Sequence, residues 1–96
     1  MNRITIENLN YLVDMLNQAT DNPIKPYVRN DDGHTVAQGG NFHLDHAYGG
    51  IALHQMLNGG GIRDVLNSGH VTKKDLYQRM QAFLEGVLYE QRRSLH

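Results

Sequence analysis

The 96-residue chain contains no cysteine. This absence excludes a disulfide framework, a thiolate zinc site and a cysteine nucleophile. No apolar run approaches the length of a membrane span, and residues 1–5 lack the apolar stretch of a signal peptide. The chain also lacks an excess of either charge, because nine basic and ten acidic side chains leave a net charge of −1. Nucleic-acid-binding domains usually carry a basic patch, so nucleic acid is disfavoured as a partner.

The centre of the chain is rich in glycine and histidine. Nine of the ten glycines lie between Gly33 and Gly69, together with four of the six histidines. The hydrophobic content of 40% and charged content of 20% are typical of a globular protein. We therefore expect a single domain over residues 1–96 with a thin core, and we expect its function to lie in the unusual centre.

Amphipathic helices are predicted near both ends of the chain. The first covers about residues 5–19 and begins at Thr5 as N-cap, with an apolar face repeating every three or four residues. The second covers about residues 72–89, where Asp75 follows Thr72 at the spacing of a capping box. The apolar positions that define the two faces are Ile6, Leu9, Leu12, Val13, Leu16, Leu76, Met80, Phe83, Leu84, Val87 and Leu88.

The remaining elements define the predicted fold class. Residues 27–29 and 34–36 flank an Asp-Gly turn and predict a β-hairpin, since glycine accepts the positive φ of such turns. Residues 51–57 predict a shorter helix, and residues 62–66 predict one or two further helical turns. The sequence thus predicts an α+β domain of three or four helices packed with a small hairpin.

Candidate metal ligands are clustered at His43, Asp45 and His46, with His34 and His54 farther along the chain. Imidazole and carboxylate are good ligands for divalent ions. The His-x-Asp-His spacing matches no recognised ligand motif, however, so we predict neither a metal ligand nor a cofactor.

Catalysis has a single histidine-based candidate. His43 beside Asp45 could serve as a general base, which leaves a metal- or histidine-dependent small enzyme as the alternative function. Neither Ser68 nor Ser94 sits in a nucleophile elbow, so no catalytic residue is predicted.

Two further patterns concern anions and DNA. Gly59, Gly60 and Gly61 before Arg63 could form an anion cradle at a helix N-terminus, although a helix cap followed by a turn is the commoner use of such glycines. The segment from Ile62 through the last helix has the outline of a helix-turn-helix, which gives a DNA-binding regulator as a further alternative.

The stretch "GGNFHLDHAYGG" carries a family resemblance. Together with the residues named at the end of this paragraph, this stretch resembles a family of small uncharacterised proteins encoded by tailed bacteriophages and prophages. Ile51 departs from that pattern, in which an aromatic residue is expected. The resemblance implies a virus-encoded protein in the host bacterial cytoplasm and brings no functional residue with it. The residues that carry it are Leu12, Leu16, Asn17, Asn22, Pro23, Pro26, Tyr27, Asp32, Gly33, Gly40, Asn41, Phe42, His43, Leu44, Ala47, Tyr48, Gly49, Gly50, Leu53, Met56, Gly60, Gly61, Leu76 and Tyr77.

Small phage proteins without catalytic motifs commonly act by binding. We therefore predict a non-catalytic accessory or anti-defence protein that binds a host protein or a nucleotide-type signal, with a homo-oligomer as a compatible assembly. Phe42 and Leu44 are expected in the core, whereas neighbouring polar and glycine positions could form one ligand surface. The predicted ligand-binding residues are Asn41, His43, Tyr48, Gly49, Gly50, Gly59, Gly60, Gly61 and Arg63.

Overall fold

The computed structural model of the chain describes residues 3–94. Met1 and Asn2, which belong to the segment considered for a signal peptide, lie outside the described residues. Within the described range the chain is α+β, with two helices and five strands, and this class was predicted. The elements in chain order are α1 (Ile6–Ala19), β1 (Tyr27–Arg29), β2 (Thr35–Ala37), β3 (Phe42–Ala47), β4 (Gly50–Met56), β5 (Ile62–Asp64) and α2 (Lys73–Arg93).

Both helices begin at threonine N-caps, which confirms the two predicted helices. The Thr5 hydroxyl accepts a hydrogen bond from the Asn8 backbone N–H, and the Asn8 side chain accepts one from the Thr5 N–H. At α2 the Thr72 hydroxyl accepts from the Asp75 backbone N–H, and the helix continues past Tyr89. Neither helix, as far as residues 3–94 are described, is long and apolar enough to cross a membrane.

The segment between the hairpin and α2 is β-structure, so the helices predicted there are wrong. Residues 51–57 fall mainly in β4, and residues 62–66 begin with β5. Residues 42–47, for which no element was predicted, form β3. Short apolar runs satisfy a strand and a buried helix equally well, and pairing with a neighbouring strand decides between them. The count of three or four helices therefore falls to two.

The strands form two antiparallel sheets. β1 and β2 pair with Val28 opposite Val36, and Gly33 takes a φ of +82° in the connecting turn. The predicted hairpin is thereby confirmed. The second sheet has the order β3-β4-β5, with Leu44 opposite Leu53.

The core lies between the two helices and one face of the three-stranded sheet. α1 packs against α2 and β3, while α2 also packs against β4. The Phe42 and Phe83 rings meet edge to face with their centroids 6.0 Å apart. The face of the three-stranded sheet that packs against the helices therefore belongs to the core, and the opposite face can carry polar side chains. The buried core residues are Leu9, Leu12, Val13, Leu16, Phe42, Ile51, Leu53, Leu76, Met80 and Leu84.

Candidate functional site

The two faces of the β3–β4 pair carry different chemistry. Phe42 and Leu44 contribute to the core packing, whereas His43 and Asp45 alternate with them and project from the other face. His54 lies directly opposite His43 on β4 and shares that second face. The alternation thus gathers imidazole and carboxylate groups on the side of the sheet away from the helices.

The same alternation places His43, Asp45 and His46, the candidate metal ligands from the sequence, on two different faces of the sheet. His43 and Asp45 share a face, but His46 follows Asp45 directly and therefore projects from the opposite side, where it is exposed. A metal site built from His43, Asp45 and His46 is therefore wrong. Its residues do not converge, because the segment is a strand rather than a loop.

His70 joins this face from the segment between β5 and α2. Its Nε2 lies 2.8 Å from Asp45 Oδ2, and its ring centroid is 5.9 Å from that of His54. A β-bridge between Ile51 and Val71 holds the segment against β4. A Cβ on Gly50 would lie 2.9 Å from the His70 carbonyl carbon, so glycine is what permits this approach.

Asp45, His54 and His70 converge to form the candidate metal centre. One ligand atom from each side chain lies within 4.8 Å of the other two. A tetrahedral zinc ion with bonds of about 2 Å separates its ligand atoms by about 3.3 Å, a distance of the same order as these separations. We call these three residues the Asp45–His54–His70 cluster. Sequence reasoning missed it because the three lie on separate segments.

Two buried polar atoms beside the cluster lack hydrogen bonds. Among the described residues, neither His54 Nδ1 nor Asp64 Oδ1 has a hydrogen-bond partner. Asp64 lies opposite His54 on β5, and its other oxygen, Oδ2, accepts the Gly69 backbone N–H at 2.8 Å. Buried polar atoms are nearly always hydrogen-bonded in folded proteins, so two such atoms on cross-strand neighbours call for an explanation.

The charge of Asp45 suits a metal ligand. The hydrogen bond from His70 is the main cause that lowers the pKa of the Asp45 carboxyl, and the neighbouring histidines add to it. Asp45 is therefore ionised at neutral pH. Its side chain remains 43% exposed, so an ion can reach the cluster from solvent.

Asn41 is buried and orients His43. Its side chain is fully buried; its Nδ2 donates to the Pro23 carbonyl at 2.8 Å, and its Oδ1 lies 3.1 Å from His43 Nδ1. With Nδ1 donating to that oxygen, His43 presents Nε2 as its unprotonated nitrogen. The amide of Asn41 is thus used by partners within the fold, and its contact with a ligand stays a prediction.

The pKa of His43 gives the protein a specific acid sensitivity. Burial is the main cause that lowers this pKa, and the nearby His54 lowers it further. Between pH 6.5 and the lower pKa of the folded state, His43 is therefore protonated in the unfolded chain but neutral in the folded chain. We expect the free energy of unfolding to be unaffected by this group above pH 6.5 and to decrease as the pH falls through that interval.

Urea denaturation at about pH 7.5 and about pH 5.5, on either side of the ordinary histidine pKa, measures this effect. His43→Gln should lose less stability on acidification than the wild type, while the exposed His34→Gln should behave like the wild type. Equal acid losses in all three proteins would contradict the assignment.

The turn between β3 and β4 presents an aromatic ring beside the cluster. Tyr48 and Gly49 both have positive φ, at +54° and +74°, which is the backbone of a type I′ two-residue turn. The Tyr48 side chain is 96% exposed, and its ring lies edge-on to His70 with centroids 5.5 Å apart. Of the predicted ligand-binding residues, His43 and Tyr48 thus lie around the cluster, whereas Gly49 and Gly50 shape the backbone that carries it.

The second glycine stretch is the hairpin turn between β4 and β5. Gly59 and Gly60 have φ of +88° and +98°, and the Leu57 N–H donates to the Gly61 carbonyl at 2.7 Å. Because β5 and not a helix follows, the predicted helix-terminal anion cradle is wrong. Arg63 Nε donates to the side chain of Gln55. The predicted helix-turn-helix is wrong as well, because the segment expected to form its first helix is the strand β5.

The two glycine-rich segments do not form one pocket. They lie at opposite ends of β4, whose residues rise about 3.4 Å each, so roughly 20 Å separates them. The helix predicted over residues 51–57 would have spanned only about 10 Å, because a helix rises 1.5 Å per residue. The predicted common surface of Tyr48 with Gly59, Gly60, Gly61 and Arg63 is therefore wrong.

Comparison with known proteins adds no assignment to this geometry. No protein-family model, no curated protein and no solved structure matches the chain. The functional inference accordingly depends on the side chains themselves, above all on the Asp45–His54–His70 cluster.

Proposed function

We propose that this chain is a small binding protein that holds a divalent transition-metal ion at the Asp45–His54–His70 cluster. The observation that carries the proposal is the convergence of three potential ligand atoms within 4.8 Å, from three separate segments of the chain. Two imidazoles and one carboxylate suit zinc and its neighbours in the first transition series. A cysteine-free chain offers no softer thiolate site in competition.

Metal binding competes with a proton at the same place. His70 Nε2 and Asp45 Oδ2 share a hydrogen bond of 2.8 Å. An ion bound by both atoms displaces the proton in that bond, so affinity must fall as the pH is lowered. The same hydrogen bond is the main cause that lowers the pKa of the Asp45 carboxyl, so the ion takes the place of the His70 proton beside a carboxylate that is already charged.

Three protein ligands leave a tetrahedral ion with one open position. The exposed Tyr48 ring borders the cluster and offers a flat apolar surface next to that position. We propose that the open position takes a donor group from a host protein or from a nucleotide-type signal. The resemblance to phage proteins supports this finer proposal, which places the chain in a bacterial host as an accessory or anti-defence factor.

Self-association belongs to the same proposal. Tyr27, Val28 and Val36 on the two-stranded sheet are each more than 40% exposed, and Ile24 before it is 60% exposed. Val28 and Val36 are cross-strand partners on one face of this hairpin, and exposed apolar neighbours of this kind favour contact with another protein surface. A second copy of this chain is the simplest such surface.

Titration of tag-free protein with Zn²⁺, followed by calorimetry and elemental analysis, tests the metal site. We expect one ion per chain. We expect His54→Ala and His70→Ala, which each remove a ligand, to weaken binding by more than the about 10- to 100-fold that loss of a ligand's hydrogen-bond partner costs. His46→Ala is the matched control, because this residue leaves the opposite face of the same sheet. Equal zinc binding by the wild type and both ligand variants would overturn the proposal.

A further inference from the structure

We propose that Asp64 is the positioning residue that fixes His54 as a metal ligand. The idea that a metal is bound rests on the proposed function, whereas the proposed Asp64–His54 hydrogen bond forms with or without an ion. Asp64 lies outside the Asp45–His54–His70 cluster, and no role is predicted for it from the sequence.

The sheet places Asp64 and His54 as direct cross-strand neighbours. They face each other in the β4–β5 register. The Val65 N–H donates to the Leu53 carbonyl at 3.1 Å, so the backbone groups of the 53–65 pair point at each other. The adjacent His54–Asp64 pair is therefore of the non-hydrogen-bonded type, in which the Cα atoms approach to about 4.5 Å and the side chains are closest.

Each of the two side chains has one buried atom that lacks a hydrogen bond to any of the described residues. These atoms are His54 Nδ1 and Asp64 Oδ1. A carboxylate oxygen accepts, and an imidazole Nδ1 that carries a proton donates, so the two atoms are complementary. An Nδ1–H···Oδ1 hydrogen bond between these cross-strand neighbours would satisfy both atoms.

That hydrogen bond determines which nitrogen of His54 can bind a metal. With the proton held on Nδ1, Nε2 keeps its lone pair and becomes the ligand atom. Histidine ligands in metal sites commonly donate their other ring N–H to a carboxylate, which fixes ring orientation and raises ligand basicity. Asp64 supplies such a carboxylate from the neighbouring strand.

Asp64 also acts on the second histidine of the cluster. Its Oδ2 accepts the backbone N–H of Gly69 at 2.8 Å, and Gly69 immediately precedes His70. A single carboxylate thus holds the His54 ring with one oxygen and the segment that carries His70 with the other. Because Asp64 contacts both elements, its substitution should disturb the positions of two ligands, His54 and His70.

The test compares Asp64→Leu, which removes both acceptor oxygens, with the wild type in two measurements. In the metal-free protein, long-range ¹H–¹⁵N correlation of the imidazole rings should show the Nδ1–H tautomer for His54 in the wild type and a shift toward Nε2–H in Asp64→Leu. Zn²⁺ affinity should fall about 10- to 100-fold in the variant, as is usual for loss of such a partner. Asp14→Leu, on the exposed side of α1, is the control and should change neither result.

The two measurements separate the outcomes. An Nε2–H tautomer for His54 in the metal-free wild type, or the same tautomer in wild type and Asp64→Leu, overturns the role of Asp64 whether or not zinc binds. Loss of zinc binding in Asp64→Leu with an unchanged tautomer also overturns it, since Asp64 would then be a ligand itself. An Asp64-dependent Nδ1–H tautomer in a wild type that binds no zinc supports the positioning role and overturns only the proposed function.

Discussion

Saturating zinc should raise the melting temperature of the wild-type protein by roughly 10 °C or more. An ion present at one hundred times its dissociation constant stabilises the folded state by about 2.7 kcal/mol. For a domain of this size, each kcal/mol moves the melting temperature by about 4–8 °C. The effect is large because the Asp45–His54–His70 cluster draws on a strand, the neighbouring strand and the segment before α2, and unfolding separates all three.

His70→Ala should abolish that zinc-dependent shift. The substitution removes the only one of the three ligands that lies outside β3 and β4, and it also removes the hydrogen bond to Asp45. Differential scanning fluorimetry with and without Zn²⁺ measures the shift, and His46→Ala should retain it in full. A shift of the same size in His70→Ala would show that zinc stabilises the protein from another place.

Asn17→Leu should destabilise the fold by about 3 kcal/mol, since each buried backbone group left unpaired costs about 1–3 kcal/mol. Asn17 is fully buried on α1 and makes two hydrogen bonds to the backbone of Phe42 at the start of β3. Its Nδ2 donates to the Phe42 carbonyl at 3.0 Å, and its Oδ1 accepts the Phe42 N–H at 2.8 Å. Leucine has the same number and branching of side-chain heavy atoms and leaves no cavity, so the loss reflects unpaired polar groups.

Urea denaturation with and without this substitution measures the loss. Small domains have a total stability of about 5–15 kcal/mol, so the midpoint should drop by a large fraction. Asn10→Leu, on the exposed side of the same helix, is the matched control and should change stability little. Coincident unfolding curves for Asn17→Leu and the wild type would mean that the α1–β3 connection carries no net stability.

The two helices and the first hairpin could be predicted because their signals are local. Thr5 and Thr72 are capping residues next to apolar repeats, and Gly33 closes a turn between β-prone runs. The three-stranded sheet left a weaker signal. Its central strand, β4, is apolar enough to resemble a buried helix, and only its pairing with β3 on one side and β5 on the other determines its conformation.

The candidate site depends on that pairing and could not be assembled without it. Asp45, His54 and His70 meet through strand register and through a crossing segment, neither of which spacing along the chain reveals. One signal was present nevertheless. Phe42 and Leu44 alternate with His43 and Asp45, and this alternation is the pattern of a strand with one apolar and one polar face. Recognising β3 would have separated His46 from its neighbours.

The register between β3 and β4 also limits how this protein can evolve. A slip of one residue would exchange the two faces, turning His43 and Asp45 toward the helices and Leu44 toward solvent. The packing that buries Leu44 against Leu53 is therefore also what sets His43 opposite His54. Insertions or deletions inside these strands should be excluded in any functional variant, whereas changes of length in the outer turns should be tolerated. One register between β3 and β4 therefore determines both the packing of the core and the placement of the imidazole groups.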